Sequence, residues 1–325
     1  KSDKKTDPNK IQDLTTETID KLLIKKVKIG KGATSTVYKV INIITNSGYL
    51  CLKILKDEFF KKSNKEEEKK ELSWNDDDDD NNDFEESDDK AEIDIDVIRQ
   101  LLQEYEILNL INHPNIVKVY GLYRGDLNHK PAILLEYCKY NLEQVASKIE
   151  DIYLISIIYE ICSAMNYVHQ RKLIHRDLSI RNILINSAKH VKICDFGIAK
   201  VIDLTTLTSL THGVGTIAFM APEVLDKNTK YTEKVDVYSF GVVMYFILTK
   251  GQMPEFSGVG NYIKLELPSN INKLSQQIIK ACWSRQPEKR PSFKKLLDTI
   301  VKKNFLLIDG IEEKVPSIKK HLGLI

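Results

Sequence analysis

His175-Arg176-Asp177-Leu178-Ser179-Ile180-Arg181-Asn182 is the stretch that decides how this chain is read. It meets all five specified positions of the pattern H-R-D-L-x-x-x-N. A match by chance in a chain of this length is on the order of one in ten thousand, so the spacing is read as chemistry. Asp177 and Asn182 stand five residues apart on a loop. That spacing lets a carboxylate meet an attacking hydroxyl while an amide oxygen meets a metal ion. Thirteen residues beyond Asn182 comes Asp195-Phe196-Gly197, behind strand-like Val191 to Ile193. Asp195 offers a hard oxygen of the kind Mg2+ prefers. Ala221-Pro222-Glu223 follows. Each tripeptide is weak alone; their order and spacing together are strong.

Working back toward the N-terminus, Ile29-Gly30-Lys31-Gly32-Ala33-Thr34-Ser35-Thr36-Val37 reads G-x-G-x-x-S-x-V. Glycines between two strands let backbone amides approach phosphates without obstruction. The motif does not open a helix, which argues against a dinucleotide fold. Strand formers with turn-like breaks predict three antiparallel strands over roughly 23–30, 35–43 and 48–55. Lys53, flanked by Cys51 and Leu52, is a charge on a half-buried strand and needs an anionic partner. Val97, Leu101, Leu102, Tyr105 and Leu108 have helical spacing and end before His113-Pro114. Ile116–Tyr123 and Ile133–Tyr137 read as two more strands. Beyond Leu142 the pattern is mainly helical. A strand-rich part thus precedes a helix-rich part.

Together these residues resemble the eukaryotic protein kinases, over roughly residues 23–305, with features of the tyrosine-kinase-like group and some of the tyrosine kinases. The resemblance implies an α+β, two-lobed fold: a small antiparallel sheet with one helix, then a larger helical lobe, with ATP in the cleft. It divides the chain into a tail at 1–22, a small lobe and hinge at 23–138, a large lobe at 139–305 and a tail at 306–325. It implies Asp177 as catalytic base, Lys53 on the α/β-phosphates paired with Glu104, and Mg2+ on Asn182 and Asp195. Glu106 is the second choice for the Lys53 partner, but it would face away on a helix. The nucleotide would be bordered by Ile29, Gly30, Gly32, Ala33, Val37, Cys51 and Leu184, with adenine on the backbone of Glu136 and Cys138 and Leu135 as gatekeeper. Cys194 would border the same pocket. Glu223 would pair with Arg290 and hold the fold together.

The implied cofactors are ATP and Mg2+, and the implied partners are protein substrates. Gly215 to Glu223 resembles the pattern of serine/threonine and tyrosine-kinase-like kinases. The catalytic loop departs from the serine/threonine pattern, with Ser179 where that pattern has lysine, and Arg181 resembles the tyrosine-kinase loop. A cation must balance charge near the transferring phosphoryl, so Arg181 is expected to serve. The activation segment from Asp195 to Glu223 holds Thr205, Thr206, Thr208, Ser209 and Thr211 but no tyrosine. Together with Arg176 this predicts loop phosphorylation, by an upstream kinase or in trans between copies. Three readings stay open: a serine/threonine or dual-specificity kinase, which leads; a tyrosine kinase; and a pseudokinase scaffold. A scaffold predicts damage at Lys53, Asp177, Asn182 or Asp195, and all four are intact. A small-molecule kinase should lack the segment from Gly215 to Glu223.

Composition sets the outer bounds. The 325 residues are 42% hydrophobic and 29% charged, ordinary for a folded protein. A net charge of +2 gives no pull toward nucleic acid or membrane. That balance hides 18 acidic residues against six lysines over 57–94, a net −12, leaving +14 for the remainder. This insert, with five consecutive aspartates at 76–80, cannot bury enough apolar surface to offset its ordering entropy and is expected to be disordered. The +14 is spread out rather than interleaved with aromatics, so no nucleic-acid partner is expected. The five cysteines form no C-x-x-C, which predicts reduced thiols and a cytoplasmic location rather than a disulfide framework. Lys1 to Lys10 has no apolar stretch, so no signal peptide is expected. The longest apolar run, Val237 to Leu248, is too short for a membrane span. A first residue of Lys rather than Met points to a piece of a longer protein.

Overall fold

The computed structural model describes residues 13–45, 48–59, 95–126, 128–196, 218–225, 232–257, 262–263 and 267–325. Most of the acidic insert and the activation segment from Gly197 to Ile217 lie outside them. The chain divides into two compact units, residues up to Leu102 with Tyr120–Leu134, and Gln103–Val119 with Leu135–Ile325.

The first unit is built on a sheet. Its strands β1 (Val27–Lys31), β2 (Ser35–Ile41), β3 (Tyr49–Leu55), β4 (Val119–Tyr123) and β5 (Ala132–Glu136) lie in the order β1-β2-β3-β5-β4. The β2–β3 register runs unbroken from Ser35 opposite Leu55 to Ile41 opposite Tyr49. Because side chains alternate along a strand, Leu50, Leu52 and Ile54 face one way and Cys51 and Lys53 the other. The first set joins Val40, Tyr123, Ala132 and Leu134 in the core.

That core is closed by a helix the sequence reading did not expect. Helix α1 (Thr16–Leu23) occupies residues assigned to the tail, and the strand predicted from 23 starts at Val27. Thr15 caps the helix by accepting from the Thr18 amide. Ile19 and Leu22, three apart on one face, are buried with Leu14 against the sheet. Ahead of it, the Leu14 amide donates to the Leu122 carbonyl at 2.8 Å, which covers part of the β4 edge. Asp126 ties the helix to the sheet: it accepts from Thr16 Oγ1 at 3.0 Å, from the Tyr123 hydroxyl and from the amides of Asn128 and His129. These donors, the Tyr123 hydroxyl first, hold its carboxyl far below the usual range.

Helix α2 (Ile95–Leu110) follows the predicted spacing, with Val97, Leu101, Tyr105 and Leu108 all buried. It crosses from the first unit into the second. Asp57–Phe59, read as the start of the insert, form one 3-10 turn.

The second unit is mainly helical. Its elements are β6 (Tyr140–Asn141), α3 (Leu142–Val145), α4 (Asp151–Gln170), the hairpin β7 (Ile183–Ile185) and β8 (Val191–Ile193), α5 (Lys234–Leu248), α6 (Lys273–Cys282), α7 (Phe293–Lys302) and α8 (Val315–His321). A two-stranded ribbon, β9 (Phe256–Ser257) with β10 (Tyr262–Ile263), lies between α5 and α6. Helix α5 is buried on every face from Val235 to Ile247, as its continuous apolar sequence requires. Helix α4 packs against α7 and α8. Residues 306–325, read as a tail, are part of this core: Leu307, Ile311, Val315 and Ile318 are buried. Their apolar spacing is short and broken by Gly310 and Pro316, so it shows no sustained helical period.

No disulfide joins the five cysteines. Burial pushes the Cys282 thiol up to about 12 and raises Cys162 as well, so both are inert packing groups. No described helix is long and apolar enough to cross a membrane.

Gly241 on α5 marks the tightest packing. A Cβ there would meet Trp283 Nε1 at 2.6 Å and Cys282 Cβ at 2.8 Å. Gly241→Ala should therefore lower unfolding free energy by about 1–3 kcal/mol, despite alanine's better helix propensity. Urea denaturation would check it; an unchanged or higher midpoint would show that α6 gives way freely.

Candidate active site

In the second unit the loop from His175 to Asn182 is held from beneath by one carboxylate. Asp236, fully buried on α5, accepts from the amide of His175 at 2.9 Å and the amide of Arg176 at 2.8 Å. His169 Nε2 lies 2.8 Å from the same carboxylate. These bonds hold Arg176 at φ 68°, a left-handed conformation that a non-glycine residue keeps only when its surroundings impose it. The sequence reading gave Asp236 no role. The signal available was an acid directly before the apolar run from Val237 to Leu248, which must find donors if it is buried with that run.

His175 is itself buried and works on both sides. Its Nε2 donates to the Cys194 carbonyl at 3.0 Å, and its Nδ1 accepts from the Asp177 amide at 3.3 Å. A carbonyl can only accept, which assigns the Nε2–H tautomer. The Phe196 ring packs on His175, with centroids 4.7 Å apart. The loop from His175 to Asn182 and the Asp195 segment are thereby joined through one imidazole.

Asn182 completes the arrangement. Its Nδ2 donates to the Asp177 carbonyl and to Asp177 Oδ2, both at 2.9 Å. Its own carbonyl accepts from the Cys194 amide at 3.0 Å. Asp195, next in the chain, sits at φ 61°. With Nδ2 committed to Asp177, Asn182 has Oδ1 for a cation. That oxygen and the Asp195 carboxylate are the hard donor set that suits Mg2+.

Arg181 Nε lies 3.3 Å from Glu143 Oε2 in an exposed pair. Leu184 lies on β7, opposite Asn141 and Lys192 in the two ladders. The Glu136 carboxylate holds Lys192 Nζ at 2.9 Å and accepts from the Lys118 amide. On α2, Glu104 is 3% exposed, whereas Glu106 is exposed. Glu223 and Arg290 do pair, through two parallel bonds of 2.6 and 2.8 Å.

In the first unit, Val37 stands opposite Lys53, so Val37, Cys51 and Lys53 share the sheet face turned away from the α1 core. Gly30 adjoins them, since a Cβ there would touch Val37 at 3.6 Å. The β1–β2 register slips between Lys28 and Gly30, which leaves Ile29 as the additional residue. The turn closes with the Gly32 amide on the Ser35 carbonyl at 2.8 Å, and Lys56 Nζ caps the Ala33 carbonyl. Ser35, the serine of the G-x-G-x-x-S-x-V run, is buried with its hydroxyl lacking a partner.

The family model for protein tyrosine and serine/threonine kinases matches residues 89–300. The chain belongs to the protein kinase family. It is 31% identical over 225 residues to a probable serine/threonine-protein kinase of Dictyostelium discoideum, covering 64% of this chain and 16% of that protein. It is 34% identical to the serine/threonine-protein kinase CTR1 of Arabidopsis thaliana, covering 62% of this chain and 26% of that one. Identity to mitogen-activated protein kinase kinase kinase 12 of Rattus norvegicus is also 34%, covering 63% and 24%. The kinase chain thus spans about a quarter or less of the curated relatives it matches.

Proposed function

We propose that this kinase domain transfers the γ-phosphoryl group of ATP, with Mg2+, to serine and threonine hydroxyls of proteins. The observation that carries the reading is the Asn182 amide bonded to both the backbone and the carboxylate of Asp177. It presents a carboxylate and an amide oxygen together, on a loop anchored to a buried acid. The names of the relatives, serine/threonine-protein kinases in Dictyostelium and Arabidopsis, support the acceptor class.

Each residue then has one task. Asp177 orients the acceptor hydroxyl and takes its proton as the oxygen–phosphorus bond forms and the bond to ADP breaks. Asn182 and Asp195 hold Mg2+, which neutralises phosphate charge when bound. Lys53 orients the α/β-phosphates, with Glu104 as its ion-pair partner. The backbone of Gly30, Gly32 and Ala33 faces the phosphates, and the side chains of Ile29, Val37, Cys51 and Leu184 border the base. The backbone of Glu136 and Cys138 receives adenine. Arg181, on leaving Glu143, adds positive charge beside the transferring group.

Incubation with γ-labelled ATP and a mixed protein substrate, followed by phosphoamino-acid analysis, tests the acceptor class. Label is expected on serine and threonine. Label on tyrosine would make Arg181 the better guide. ATP binding without transfer, by a chain already phosphorylated in its activation segment, would favour a scaffold.

A further inference from the structure

In the first unit, helix α1 and the sheet face it covers border a groove of about 480 Å³. This face is opposite the one shared by Val37, Cys51 and Lys53. Lys26, Lys28, Lys31, Lys56 and Lys130 surround the groove, and Asp57 is the one acid among its walls. None of these charged groups has a task in the proposed reaction.

Two features of the backbone gather the lysines. On a regular strand Lys28 and Lys31, three residues apart, face opposite ways. The slip in the β1–β2 register removes that difference. Lys28 stands opposite Tyr38 and Lys31 opposite Thr36, so both share the face of Tyr38 and Thr36. Tyr38 packs on the core that α1 closes, and Lys26 Nζ lies over its ring, 5.1 Å from the centroid. At the end of β3 the Leu55 amide donates to the Pro131 carbonyl, which brings Lys130 beside Lys56 and Asp57. Lys26, Lys28 and Lys31 have no acidic partner among the described residues.

The groove opens where the acidic insert begins. Asp57 is the first residue of the stretch 57–94 with its net −12, and it already pairs with Lys130. Gathered like charges repel one another, so the lysines favour an occupant of opposite sign. The segment of this chain with that excess is tethered at the rim.

We propose that this groove is the docking surface for the chain's own acidic insert, held chiefly through the aspartates at 76–80. Exposed ion pairs are individually weak and screened by salt. The tether compensates, because it supplies an effective concentration on the order of millimolar. Asp76 stands 17 residues beyond Phe59, a span of up to about 55 Å when extended, so the run reaches back to the lysines. Asp80 stands 15 residues before Ile95, where α2 begins, so the return connection has slack as well. Docked in this way, the insert neutralises the lysines on the face remote from Lys53.

Zero-length carbodiimide coupling of the full chain tests the contact, since it joins a carboxylate to an amine only where the two touch. Peptide mass mapping should find links from residues 76–80 to the five groove lysines about threefold or more above those to lysines of the second unit. In an equal mixture of 14N and 15N chains, each link should join residues of one isotope. About 0.5 M NaCl, where the Debye length is only a few ångström, should remove most of them. Lysine acetylation gives an independent reading. Asp76→Asn through Asp80→Asn together should raise the labelling rate of Lys28 and Lys31 about threefold, with Lys302 in the second unit unchanged. Links spread evenly over both units would overturn the proposal. So would links between isotopes, which assign the insert to a second copy, or labelling of Lys28 and Lys31 that the asparagine variant leaves unaltered.

Discussion

Asp177→Asn should lower phosphoryl transfer by about 10²–10⁴-fold while leaving ATP affinity and stability nearly unchanged. The substitution preserves shape. Asn182 Nδ2 donates to Asp177 Oδ2 at 2.9 Å, and the oxygen of an asparagine at that position can accept the same bond. The backbone half of the arrangement, from Asn182 Nδ2 to the Asp177 carbonyl, does not involve the altered group. What is lost is the carboxylate charge and its capacity to take a proton. Single-turnover transfer, ATP binding by calorimetry and urea denaturation on the same preparation separate these effects. A rate within twofold of the parent would remove Asp177 from the chemistry. A parallel loss of ATP affinity would mean that the residue positions nucleotide rather than acceptor.

Arg290→Met is expected to cost about 3–5 kcal/mol of stability, a large share of the 5–15 kcal/mol typical of a folded domain. Arg290 is 1% exposed. Beyond the two bonds to Glu223, its Nε donates to the Ser284 carbonyl at 2.8 Å and its Nη1 to the Lys234 carbonyl at 3.1 Å. Methionine fills part of the volume but leaves a carboxylate and two carbonyls without these donors, and unpaired buried groups are costly. Equilibrium urea unfolding reads the effect, and Tm should fall by roughly 10 °C. Removing both partners, as Arg290→Met with Glu223→Leu, should cost less than the sum of the single changes, because no charge is then stranded. A single-variant loss below about 1 kcal/mol would show that solvent reaches Glu223 and replaces the guanidinium.

The legible part of this kinase was the part whose chemistry is local. Asp177, Asn182 and Asp195 could be singled out because they stand at short, fixed separations in motifs that resemble those of the protein kinases. Helix α2 could be read because Val97, Leu101, Tyr105 and Leu108 must share one face to be buried. Val37, Cys51 and Lys53 were assigned to one pocket only by the resemblance, and strand pairing in the structure puts all three on one sheet face. Helix α1 could not be read, since eight residues with two buried apolar positions give too little periodicity to exceed a polar background. Its stability comes from the sheet it covers and from Asp126, over a hundred residues away.

The sequence by itself determined the family, the two-part order of strands before helices and the Glu223–Arg290 pair. Tertiary structure alone decided what holds the loop from His175 to Asn182 in place. Asp236 reaches amides 60 and 61 residues earlier in the chain, and that carboxylate sets the unusual backbone at Arg176. It also decided that residues 306–325 complete the core and bring His321 against Glu160 and His190. The physical reason is common to all of these. A buried polar group must be satisfied, but which distant donor satisfies it depends on how the apolar faces pack. That information lies in no short window of sequence.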